Sequence, residues 1–230
     1  MISHTMYNMV MSKSEAKAYR GVGMEGPIAT WYAKITKTDR SFGAIADAIA
    51  AAVPTGGRVL EVAPGPGYLA IELAKRGLRV SAVDISNAFV RMVGENAREA
   101  GVEIDVRHGN ASALPFTDAA FDYVVCRAAF KNFADPLGAL NEAHRVLARG
   151  GVASIIDLRK EATRDEIRAE VDTMKLSRWN ALWTRWTFRW ILLGRAYTVE
   201  AMHALVAQSA FGAGDIRTDG VGFELRATKR

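Results

Sequence analysis

Between residues 58 and 157, short apolar runs alternate with longer stretches of helical spacing, and this alternation leaves few folds open to the chain. Strands are expected at residues 58–63, at 79–83 with Asp84 closing the run, and at 103–107, 121–126 and 152–157. Between them, Leu69, Ala70, Leu73 and Ala74 recur at helical spacing, and residues 87–100 and 136–148 read as further helices. Parallel strands joined through helices need right-handed crossovers, so the expected fold is Rossmann-like α/β, a doubly wound, mostly parallel sheet with helices on both faces. Residues 216–229, split by Gly220 and Gly222, read as a closing hairpin that brings the sheet to seven strands.

The chain has 230 residues, half of them apolar, enough for one domain with a full core. Within it, residues 1–54 form an N-terminal cap that is helical over 42–52, and 55–160 form the ligand-binding core. Residues 161–195 are a helical insert, and 196–230 supply a C-terminal helix and the hairpin. The lone cysteine, Cys126, cannot close an internal disulfide and sits in an apolar run with Tyr123, Val124 and Val125. With no basic-then-apolar leader and no apolar stretch near 20 residues, the expectation is a cytoplasmic protein without a transmembrane segment. The net charge of +5 is scattered among acids, so nucleic acid is not an expected partner.

Gly65 and Gly67 fall where the first strand turns into its helix, and without a Cβ the backbone there can approach a ligand closely. Asp84 ends the second strand at the right distance to hold ribose hydroxyls. Gly65-Pro66-Gly67-Tyr68-Leu69-Ala70 satisfies the dinucleotide fingerprint with alanine last, so on this motif alone a nicotinamide dinucleotide and S-adenosylmethionine both stand. Glu61 adds a constraint: a carboxylate inside an apolar strand is costly to bury without a cationic or hydrogen-bonding partner.

Four blocks in order make the reading specific. Val59-Leu60-Glu61-Val62-Ala63-Pro64-Gly65-Pro66-Gly67 resembles motif I of the class I S-adenosylmethionine-dependent methyltransferases, small-molecule type. Val80 to Ser86 resembles that family's second strand, Gly109 to Phe116 with Phe121 to Val125 its adenine loop and fourth strand, and Leu140 to Gly151 the approach to its fifth. The resemblance implies S-adenosylmethionine as cofactor, S-adenosylhomocysteine as product, and no metal. It places Glu61 near the methionine amino group and Ala63, Gly65 and Gly67 behind the methionine and ribose. Asp84 falls on the ribose, Ile85 against the adenine, Asn110 and Ala111 at the adenine edge, and Arg127 at the methionine end. The chain departs from the family in having Ala63 where a glycine is common and Asn110 where an acid is common.

The segment after the fourth strand is the natural floor of an acceptor site, with Phe130, Lys131, Asn132 and Phe133 as candidates. Attack on a sulfonium methyl expels a neutral group, so positioning and desolvation can carry the rate, and a general base is optional. Lys131, His108 and Tyr32 are the candidate catalytic residues. Trp31 and Tyr32, following a Gly-Pro pair, are candidates for closing over the ligand, against the alternative of packing a lid helix onto the domain. Trp179, Trp183, Trp186 and Trp190 fall on one helical face, so Trp183 and Trp186 are candidates for the acceptor pocket; core packing or weak peripheral membrane contact stand as alternatives. The other histidines, His4, His144 and His203, show no metal-ligand spacing. The expected activity is methyl transfer to an O, N or C atom of a small, mostly apolar or aromatic molecule, by a monomer or homodimer. The alternatives are a non-catalytic cofactor-binding regulator and a nicotinamide oxidoreductase.

Overall fold

A computed structural model of the chain describes residues 18–37, 39, 41–173 and 193–230. Seven strands form one sheet in the order β3-β2-β1-β4-β5-β7-β6. They are β1 (Arg58–Val62), β2 (Arg79–Asp84), β3 (Ile104–His108), β4 (Phe121–Arg127), β5 (Leu147–Leu158), β6 (Asp215–Asp219) and β7 (Gly222–Thr228). Pairs among β1 to β5 are parallel, whereas β7 runs antiparallel to both β5 and β6. The expected α/β fold and the closing hairpin are both present. The helices are α1 (Gly26–Thr36), α2 (Ser41–Ala52), α3 (Tyr68–Lys75), α4 (Asn87–Glu99), α5 (Pro136–Val146), α6 (Arg164–Thr173) and α7 (Val199–Gln208).

The central strands are buried on both faces, which is why they read as continuous apolar runs rather than alternating ones. On β1 and β4 successive side chains divide between two cores. Val59, Tyr123 and Val125 face α2 and α3 with Ile49, Leu69 and Leu73. Leu60, Val62, Val124 and Cys126 face α5 and α7 with Leu140, Met202 and Val206. Burial pushes the Cys126 thiol far up, so it is an inert apolar side chain.

Helix starts follow local chemistry. Ser86, Asp135 and Thr198 each accept a backbone N–H from the first turn of α4, α5 and α7. Helix α5 stops at Val146 and the chain enters β5 at once, two residues earlier than the periodicity predicts. Of the helical reading of residues 161–193, Arg164–Thr173 is the helix α6, a 3-10 turn runs over Leu193–Arg195, and residues 174–192 lie outside the described residues. The tryptophan stripe, Trp183 and Trp186 included, lies outside the described residues.

Candidate active site

The turn between β1 and α3 holds three left-handed residues, Ala63, Gly65 and Gly67, with φ of 57°, 56° and 85°. A Cβ on Gly67 would come within 3.0 Å of Val93, so the turn needs glycine there for space as well as for conformation. Ala63 does carry a Cβ in this region, which costs about 1 kcal/mol. Ala63→Gly is therefore expected to stabilise the protein by about 0.5–1 kcal/mol, a rise of roughly 1–4 °C in Tm. Thermal unfolding checks this, and a variant melting below wild type would show that the alanine methyl is needed for packing.

Glu61 sits mid-way along β1, 3 % exposed, and its Oε2 is buried without a hydrogen-bond partner. Burial pushes its carboxyl up to about 8, with the Ala70 N–H and the Arg127 charge offsetting only part of that. Asp84, at the end of β2, accepts the Gly65 N–H at 3.2 Å and the Ser86 N–H at 2.9 Å. Burial still raises it to about 7. Two acids beside a glycine turn are thus both raised well above the usual carboxylate range by burial, an arrangement that favours a ligand bringing donors or positive charge.

Gly109 follows β3 and donates to the Asp84 carbonyl at 3.0 Å, which brings the next residues to the cavity. Asn110 spends its Oδ1 on the Ser112 N–H, so its amide NH2 is what it can offer a ligand. After β4, Ala128 is again left-handed at φ 58°. Arg127 donates to Asp39 Oδ2 at 2.7 Å and to the Ser41 hydroxyl at 2.9 Å, with its guanidinium 4.7 Å from the centre of the Phe42 ring. Burial works against the charge on Asp39, yet Ser41 and Arg127 together hold its carboxyl below the usual range. Lys131 donates to Asp157 Oδ1 and to the Ala128 carbonyl, both at 2.7 Å. Asp157 also accepts the Lys131 and Leu158 N–H groups. This ion pair is buried, with side chains 7 % and 1 % exposed.

Residues 18–36 form the roof. Tyr19 bridges to Phe133, Arg20 N–H donates to the Asn132 carbonyl, and Ala134 N–H to the Ala18 carbonyl. Further along, the Met24 carbonyl accepts from the Ser86 hydroxyl, and Glu25 accepts the Ala88 N–H. On α1, Tyr32 packs against Phe89 with ring centres 5.9 Å apart, and Tyr68 donates to the Ala33 carbonyl. Beneath this roof is a cavity of about 370 Å³, within the usual range for a small-molecule site. Burial raises both phenols that line it, Tyr32 upward from its ordinary value and Tyr19 to about 12, so both keep their protons at neutral pH.

Of the residues singled out in the sequence, Glu61, Ala63, Gly65, Asp84, Ile85, Asn110, Ala111 and Arg127 line this one cavity with Tyr32, Lys131, Asn132 and Phe133. Gly67 stands behind it, against Val93. Three further expected residues also lie outside the lining. Trp31 points outward and is 61 % exposed, because α1 turns Tyr32 inward. Phe130 is buried in the core against Phe133 and Tyr197. His108 bonds the Ile85 carbonyl at 3.0 Å through Nε2. Sequence reasoning missed Tyr19, Thr36, Phe42, Ser86 and Phe89, which line the cavity, and Asp39 and Asp157 behind it.

Residues 60–155 match the family model of a methyltransferase domain. The demethylmenaquinone methyltransferase of Thermus thermophilus is 38% identical over 102 residues, 44% of this chain and 46% of its own. That of Deinococcus radiodurans is 41% identical over 96 residues, 41% of this chain and 40% of its own. The chain thus spans less than half the length of these curated relatives. A crystal structure from Methanococcus maripaludis, provisionally assigned as an S-adenosyl-L-methionine-dependent methyltransferase, superposes with a TM-score of 0.70 at 26% identity, covering 88% of this chain and 92% of the other. Among the described residues no helix is long and apolar enough to cross a membrane, and no group of three or more His, Cys, Asp or Glu could hold a metal ion.

Proposed function

We propose that the chain is a class I S-adenosylmethionine-dependent methyltransferase that methylates an O, N or C atom of a small, mostly apolar or aromatic acceptor, a reading supported by the match of residues 60–155 to a methyltransferase-domain model. The observation that carries this is the orphaned Glu61 Oε2, buried at the wall of a cavity that Tyr19, Tyr32, Phe42, Phe89 and Phe133 also line. The methionine ammonium offers that atom a cation carrying N–H donors, whereas the pyridinium ring of an oxidised nicotinamide has charge but no N–H on its ring nitrogen.

The residues present fit that cofactor. Glu61 would take the ammonium, and Arg127 borders the same end for the carboxylate. Asp84 retains lone pairs for the ribose hydroxyls, Ile85 offers an apolar wall to the adenine, and Asn110 with Ala111 meets its edge. Bound here, S-adenosylmethionine supplies an electrophilic sulfonium methyl and a neutral leaving group.

The chain's own residues then orient the acceptor and exclude water. Tyr19 and Tyr32, kept protonated by burial, hydrogen-bond a polar group on the acceptor while Phe42, Phe89 and Phe133 enclose its apolar part. Lys131 fixes the cavity floor through Asp157 rather than abstracting a proton, since its ammonium is already engaged. His108 braces the turn beside Ile85. The demethylmenaquinone methyltransferases among its relatives make quinols the first acceptor class to test.

Calorimetric titration of S-adenosylmethionine, S-adenosylhomocysteine and NADH into wild type and Asp84→Ala tests the cofactor. Both sulfur compounds should bind wild type, and Asp84→Ala should weaken them by about 1–3 kcal/mol through lost hydrogen bonds. Binding of NADH alone would overturn the reading. A screen of quinols, phenols and amines for S-adenosylhomocysteine release then identifies the acceptor.

A further inference from the structure

All the large hydrophobic side chains that stand exposed among the described residues fall between residues 22 and 35: Val22, Ile28, Trp31 and Ile35. Scattered single exposures are ordinary, but a cluster confined to one element marks a contact surface. On α1, Ile28, Trp31 and Ile35 lie three and four residues apart and share one face, exposed by 37%, 61% and 51%. The adjoining face is committed to the cavity through Tyr32 and Thr36. The helix contains no acidic residue, and Lys34 with Lys37 just past its end are both exposed.

We propose that this outer face of α1 docks on a bilayer of anionic phospholipid. Charge decides the occupant. An apolar strip with a tryptophan at its centre suits the boundary between headgroups and acyl chains, and the flanking lysines suit the headgroup phosphates. A short helix of this kind binds weakly and reversibly, and salt weakens it further. Docking sets the roof of the cavity against the membrane, so a lipid-dissolved acceptor need not cross water to reach it. The proposal goes beyond the methyl-transfer reading and holds whichever atom is methylated.

The test is co-sedimentation of the full chain with vesicles of phosphatidylcholine, alone or mixed with phosphatidylglycerol. Wild type is expected to sediment with the mixed vesicles, less with phosphatidylcholine alone, and to be released at high salt. Two variants separate the contributions. Ile28→Glu/Ile35→Glu removes the apolar strip, and Lys34→Glu/Lys37→Glu reverses the charge while leaving the strip intact. Each should lower the bound fraction by about tenfold or more, as roughly 1 kcal/mol per basic residue implies for the second. S-adenosylmethionine titrations on the same preparations should match wild type; loss of cofactor binding in wild type itself would count against the methyl-transfer reading and leave the docking result standing. Wild type remaining in the supernatant with mixed vesicles overturns the proposal. So does unchanged sedimentation of both variants, which would assign the contact to another surface. A wild-type dimer that does not bind vesicles and that Ile28→Glu/Ile35→Glu splits would make the face an interface between copies instead.

Discussion

Glu61→Leu is expected to raise the Tm of the free protein while weakening S-adenosylmethionine binding at least about thirtyfold. In the free protein the buried Oε2 has no partner, and its desolvation is a standing cost that an apolar side chain of similar size relieves. The gain should be about 1–3 kcal/mol, or roughly 2–12 °C at 2–4 °C per kcal/mol for a chain of this length. In the complex the same carboxylate would face an ammonium, and removing one partner of a buried charge pair costs about 2–5 kcal/mol, some thirtyfold to several thousandfold in affinity. Opposite signs from one substitution are the signature of a ligand-binding acid; a structural acid would lower both.

The pH dependence separates this further. Glu61 is raised from 4.5 to about 8 in the folded free protein, so between those values the native state binds more protons than the unfolded one. The stability of the free protein therefore falls as pH rises through this window. Affinity for S-adenosylmethionine moves the other way, increasing up to about tenfold per unit until pH 8, because the carboxyl must release its proton to meet the ammonium. Titrations at pH 6 and pH 8 read this out, and Glu61→Gln should flatten much of both slopes, leaving the contribution of Asp84. An affinity independent of pH in wild type would remove Glu61 from the cofactor site.

The second large effect is on stability alone. Asp157→Ala should lower it by about 3–5 kcal/mol, or roughly 6–20 °C in Tm, because it leaves the Lys131 ammonium buried with its charge uncompensated and the Ala128 carbonyl as acceptor. Lys131→Met should cost markedly less, since Asp157 keeps two backbone donors, from Lys131 and Leu158. Denaturant unfolding of both variants measures the asymmetry. If Asp157→Ala costs under 1 kcal/mol, the pair does not hold the cavity floor, and Lys131 returns as a candidate base.

Much of the sheet was legible because its signals are local. Period-2 burial on two faces leaves apolar runs, and glycines mark the left-handed turn at residues 65 and 67. Glu61 stood out as a charge inside such a run. Ala63 and Ala128 share the left-handed conformation but have side chains that advertise nothing. Tyr19, Asp39 and Phe42 escaped for a different reason: they are held at or behind the cavity through contacts with residues some 85 to 115 positions away, and no periodicity records them. Asp157 could have been found by the logic applied to Glu61, since it ends the run Ser154-Ile155-Ile156. Trp31 was misplaced by its neighbour, because adjacent helical residues point about 100° apart and only Tyr32 could turn inward.

The fastening of residues 18–36 sets the tempo of any exchange with solvent. Their hydrogen bonds run to three separate places, Asn132 and Ala134 beyond β4, Ser86 and Ala88 beyond β2, and Tyr68 at the start of α3, so the segment cannot lift from one without straining the others. Entry and escape of a ligand are then local unfolding events, with the amides of Arg20 and Ala134 exchanging hydrogen in step with them. Substitutions along this seam will show themselves mainly in residence time and scarcely in the shape of the cavity.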